Sequence, residues 1–120
     1  MTVKELYEKI HGNYQNALSM MMMDDFIKRM LTKFVQSNPA SNLFKAYEDK
    51  EFQAVFAAAH SLKGVTGNLA LTSLYDKVVP IVEKTRNASS NSMIDVDKEM
   101  NDFKTEYQFV IETINEFLNK

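Results

Sequence analysis

The chain has no cysteine and no tryptophan, and among its 120 residues only three are glycine and two proline. Without cysteine there is no disulfide framework, no CxxC redox pair and no zinc knuckle. The scarcity of glycine and proline argues against a sheet fold, because sheet proteins of this size need many turns built from those residues. The 14 basic and 16 acidic residues leave a formal charge of −2, and no cluster of Lys and Arg stands out. That excludes a nucleic-acid footprint and a polybasic membrane patch. No apolar run approaches the roughly 20 residues that span a bilayer. The opening MTVKELYEKI is too polar for a signal peptide. Asn87-Ala88-Ser89 has the form of a glycosylation acceptor, but with no secretion signal it reads as loop. A cytoplasmic protein is the expectation, with neither nucleic acid nor membrane as partner.

What is present is helical periodicity. Apolar residues make up 45% of the chain and charged residues 25%, enough to bury one core without staples. Residues 1–120 therefore read as one domain. Thr2 and Glu5 form a capping box for a short first helix ending near Gly12. A second helix is expected to start between Asn13 and Met20 and run to about Ser37, with Met23, Phe26, Ile27, Met30, Leu31, Phe34 and Val35 on one buried face. The run Met20 to Met23 reads as core filling at its edge, since methionine fits irregular gaps. Asn38-Pro39 has the form of an N-cap followed by proline, opening a short helix to Asp49. Asp49 is then expected to cap a helix from about Lys50 to Leu69. Ser73 and Asp76 suggest another helix start, reaching about Arg86, with Pro80 expected to kink it or to confine the regular part to one side. After the loop NASSNS, a final helix is expected from Met93 to Leu118. Four substantial helices with short connections predict an all-α fold, an antiparallel up-and-down four-helix bundle with a short additional N-terminal helix.

The stretch AHSLKGVTGN, residues 59–68, is the least ordinary. At 100° per residue, Val55, Ala58, Leu62, Val65 and Leu69 gather opposite His60 and form the expected core face. Gln53, Ala57, Gly64, Gly67 and Asn68 share the outward side with His60, and Phe56 and Lys63 flank it. A mid-helix glycine costs about 1 kcal/mol relative to alanine. On an outward face no packing within the domain offsets that cost, whereas a partner that must approach the histidine closely would. Gly67-Asn68 has a second reading, as the end of the helix.

AAHSLKGVTGNLA resembles the signature of histidine-containing phosphotransfer domains, A-x-H-x-L-K-G followed by small residues and N-L-G. Ala58, His60, Leu62, Lys63, Gly64, Asn68 and Leu69 match it position for position. The resemblance implies a phosphorelay in a two-component signalling system. His60 would accept a phosphoryl group from the phospho-aspartate of a receiver domain and pass it to another receiver aspartate. Lys63 would offset the phosphate charge, and Gly64 would let the receiver close over the histidine. Gln53, Phe56, Ala57, Gly67 and Asn68 would form the docking face. Response-regulator receivers are the expected partners, with a hybrid histidine kinase as a further one, and the chain is expected to act as a monomer. It would carry no cofactor of its own, the Mg2+ belonging to the receiver, and no independent catalytic activity. The family's glycine after N-L is replaced by Ala70, and the polar side chain that steadies the imidazole has no clear counterpart near Val82, Glu83 and Lys84.

The chemistry agrees with these residues. An imidazole ordinarily titrates near pH 6.5, so its neutral form is an available nitrogen nucleophile at neutral pH. Phosphoryl transfer needs in-line positioning and charge neutralisation more than acid–base work. The chain has no Gly-rich nucleotide loop and no kinase signature. Two rivals remain in view. Glu8-x-x-His11 has the form of a di-metal carboxylate ligand pair, but His60 is preceded at that spacing by Ala57, so no second copy exists. The other rival is a bundle that docks a receiver or histidine kinase without transferring phosphate.

Overall fold

The computed structural model describes residues 1–89 and 91–119, which form seven α-helices and, among the described residues, no strand. They are α1 (Val3–Lys9), α2 (Tyr14–Met21), α3 (Asp24–Ser37), α4 (Ser41–Glu48), α5 (Phe52–Asn68), α6 (Thr72–Thr85) and α7 (Asp97–Leu118). The neighbour packed against each of the four longest follows from their apolar stripes. Helix α5 lies between α4 and α6, α6 packs on α7, and α7 on α3. Val55, Ala59 and Leu62 of α5 meet one continuous core with Leu74, Val78 and Ile81 of α6 and Phe103, Val110 and Ile114 of α7. Phe34, Phe44, Phe103 and Tyr107 stack edge and face through it, with centroids 5.7–6.3 Å apart.

Helix α1 is opened by Thr2 as expected. Its hydroxyl accepts from the Glu5 N–H at 3.1 Å, and the Glu5 carboxylate accepts from the Thr2 N–H at 2.9 Å. The expected second helix is instead two. Met22 takes a positive φ of 74° and Met23 is extended, so α2 ends and α3 starts afresh. Neither glycine nor proline marks this break, and the apolar pattern runs straight across it. The methionines correct a second expectation. Only Met21 is buried, whereas Met20, Met22 and Met23 are exposed, Met22 at 79%.

Asn38 does not cap α4 through its side chain. It closes α3 in the left-handed conformation that asparagine tolerates, and its side-chain oxygen accepts from the Tyr107 hydroxyl at 2.8 Å. Asp49 likewise ends α4 rather than opening α5. Helix α6 starts at the expected place, but the Ser73 hydroxyl donates to the carbonyl of Ile10, just after α1, at 3.2 Å instead of capping. Pro80 sits inside α6. Pro80 and Asp76 are both exposed, so the Asp76 carbonyl that lacks a proline N–H partner faces water. Helix α7 begins four residues later than expected, at Asp97, and Met93 is exposed.

Three helices end in the same left-handed turn without glycine. His11, Lys50 and Ala70 have φ of 59°, 57° and 53°. In each case the following N–H reaches back to close the last turn: Gly12 to Tyr7 at 2.8 Å, Glu51 to Ala46 at 3.0 Å and Leu71 to Thr66 at 2.9 Å. None of the three glycines has a positive φ. Glycine here serves something other than the turns.

Candidate functional site

Helix α5 carries His60, Lys63, Gly64 and all five expected docking residues, and its orientation follows from which stripe is buried. Phe52, Val55, Ala59, Leu62 and Thr66 are in the core. Ala58 and Val65, expected there, are only half-buried. The helix is therefore rotated slightly from the expected wheel, bringing Thr66 inward because its hydroxyl satisfies itself on the Leu62 carbonyl at 2.8 Å. The consequence for His60 is small. His60 is exposed, as are Gln53, Ala57, Gly64 and Asn68, while Phe56, Lys63 and Gly67 are half-buried.

The two α5 glycines differ. A Cβ placed on Gly64 would meet nothing within 4 Å, so the face beside His60 is open there. A Cβ on Gly67 would lie 3.4 Å from the Tyr75 ring of α6. Gly67 is thus helical and faces a neighbouring helix. It does not end α5, and it is less part of an outward clearing than expected. The turn that closes the helix falls at Ala70, where the sequence has alanine in the left-handed position that most favours glycine.

Around His60 the structure assembles a row of side chains from α5 and α6. The Phe56 ring stands one turn before His60, 5.7 Å between centroids at an angle of 39°. The Arg86 guanidinium lies over the same Phe56 ring at 5.7 Å and pairs with Glu83 at 2.8 Å. That Arg86 hydrogen bond, with a smaller contribution from Lys63, holds the Glu83 carboxyl below the usual carboxylate range. Glu83 is thus paired with Arg86, and Lys63 is near enough to act on its charge. Among the described residues no side chain hydrogen-bonds the His60 imidazole. The three positions considered for that task are committed elsewhere. Val82 is buried, Glu83 holds Arg86, and Lys84 pairs with Glu99 of α7 at 2.9 Å.

Comparison with protein-family models, with curated proteins and with solved structures finds no match. The site rests on its own residues. Of the expected docking residues, Ala57 borders an open groove of about 500 Å³ between α4 and α5, floored by Ala46, Ala54 and Ala58. Gln53 is already engaged, donating to the Ala88 carbonyl at 3.3 Å and tying the loop after α6 to α5. Asn68 lies at the far end, over a groove shared with Met30, Phe34 and Pro39. The sequence reading missed Arg86 and Tyr75. The i, i+3 spacing of Glu83 and Arg86 signals an ion pair, but only the folded register of α6 past Pro80 brings it beside Phe56.

Glu8 on α1 and His11 just after it are both exposed and do not line the core as a di-metal pair would. The His11 ring lies against Phe109 at 6.5 Å, with its Nδ1 3.8 Å from Glu106. Among the described residues, no helix is long and apolar enough to cross a membrane.

Proposed function

We propose that this chain is a histidine phosphotransfer domain, with α3, α5, α6 and α7 as its four-helix bundle and His60 as its phosphoacceptor. One observation carries the reading. An exposed histidine stands mid-helix beside a glycine whose missing side chain faces open space, with Lys63 next to it. The fold itself gains nothing from that glycine.

The step is a simple displacement. A lone pair of the neutral imidazole attacks the phosphorus of a receiver's aspartyl phosphate. The N–P bond forms as the O–P bond breaks, and the electron pair leaves with the aspartate carboxylate. The other ring nitrogen keeps its proton, so the product is a phosphorylated imidazolium. Lys63 offsets the new negative charge, and the return step to a second receiver aspartate reverses these bonds. The partner brings its own Mg2+, while this chain supplies the nucleophile and the open approach.

The test is phosphoryl transfer from 32P-labelled receiver domains. Label should appear on this protein with the acid-labile, alkali-stable behaviour of phosphohistidine. His60→Gln should abolish it while circular dichroism stays unchanged. Undiminished labelling of His60→Gln removes the assignment. Binding of receivers without any transfer would instead favour the docking module.

A further inference from the structure

The proposed reaction requires the imidazole to present one nitrogen in line with the phosphorus, yet among the described residues no side chain hydrogen-bonds the ring. We propose that Phe56 is the positioning residue for His60, in place of a hydrogen-bonding side chain. This rests on the phosphotransfer reading for its role, but not for its geometry.

Phe56 and His60 are four residues apart on α5, where helical geometry stacks side chains on one face. Their rings are 5.7 Å apart and tilted by 39°, within the range of attractive aromatic pairs. A ring contact restricts the imidazole to few orientations without occupying either nitrogen. Both nitrogens then stay free, one to attack and one to keep its proton. A hydrogen-bonding partner would engage one of them.

Phe56 is itself braced. It is half-buried and packs against the core on one side. Arg86 covers its ring at 5.7 Å, and Glu83 fixes Arg86 at 2.8 Å. The order Glu83, Arg86, Phe56, His60 therefore transmits the rigidity of α6 to the exposed imidazole. A cation over the ring face also strengthens the contact electrostatically. Arg86 acts here through Phe56 and is a positioning residue as well, one step further from the reacting atom.

The experiment reads geometry and reactivity separately. The His60 ring protons, observed by NMR, should carry a ring-current shift that disappears in Phe56→Leu and persists in Phe56→Tyr. Arg86→Gln should reduce the shift without removing it. Potassium phosphoramidate serves as a donor that needs no protein partner. It forms the imidazole N–P bond as its own P–N bond breaks and ammonia departs. Transfer from a phosphorylated receiver should slow about tenfold in Phe56→Leu, within the hundredfold that an ångström-scale misplacement can cost. Labelling by phosphoramidate should fall less, because a small donor adapts to the ring. Phe56→Tyr should restore the receiver rate. Unchanged His60 shifts in Phe56→Leu overturn the positioning role, whatever the transfer rates. Unlabelled wild-type protein with the Phe56-dependent shifts intact overturns phosphotransfer alone.

Discussion

Gly12 and Gly64 are the same residue put to opposite uses. A Cβ on Gly12 would lie 2.7 Å from the Tyr7 ring and 3.0 Å from the Ala70 carbonyl, whereas on Gly64 it would meet nothing within 4 Å. Gly12 belongs to a clasp at one end of the molecule. There the buried Tyr7 hydroxyl donates to the Leu69 carbonyl at 2.8 Å, and the Asn13 N–H to the Ala70 carbonyl at 2.9 Å. Both bonds satisfy carbonyls that the end of α5 leaves open. At Gly12 the fold dictates the residue. At Gly64 it does not, and the helix carries a glycine that its own packing never uses.

The contrast breaks first at the clasp. Gly12→Ala should destabilise the protein by about 1–3 kcal/mol, the usual cost of overpacking a fitted site, because backbone lies on one side and a buried ring on the other. Urea denaturation followed by circular dichroism measures this. A neutral Gly12→Ala would mean that the clasp is loose and the comparison empty.

Tyr7→Phe should cost somewhat less, about 1–2 kcal/mol, by leaving the Leu69 carbonyl buried without its donor. Burial also raises the Tyr7 phenol above its ordinary range. Its folded-state pKa exceeds the unfolded value, so this contribution is complete below about pH 10 and is lost as pH rises further. The unfolded chain gives up the proton first. Wild-type stability should therefore fall above pH 10 with an extra slope of up to about 1.4 kcal/mol per pH unit, and Tyr7→Phe should lack that part. Parallel alkaline curves for the two proteins would show that the phenol is solvated.

These two regions were not equally legible in the sequence. The helical class, the first capping box and the outward direction of His60 follow from local spacing, and all are present in the structure. The break at Met22 is invisible because a positive φ there falls on a residue with no turn signature, inside an uninterrupted apolar run. Likewise His11, Lys50 and Ala70 close helices where glycine would have announced the end. The clasp joins Tyr7 to Leu69, 62 residues apart, and no local pattern encodes that pairing. The same holds for Arg86 over Phe56. Periodicity tells which way a side chain points from its own helix, but the neighbours it meets depend on packing.

The smallest effects separate Gly64 from Gly67, which the sequence had grouped. Gly64→Ala should stabilise the protein by about 1 kcal/mol, since the methyl enters open space and only helix propensity changes. Gly67→Ala should gain less, because its methyl must settle against the Tyr75 ring at 3.4 Å. Equal gains would make Gly67 a second unused glycine and return it to the clearing around His60. The transfer assay then turns stability against function. Gly64→Gln should hold or raise the denaturation midpoint yet slow labelling by phosphorylated receivers, because its side chain would stand where the proposed partner approaches. Gly67→Ala, turned toward α6, should leave labelling unchanged. A stabilised Gly64→Gln that transfers at the wild-type rate would show that the opening beside His60 serves no partner.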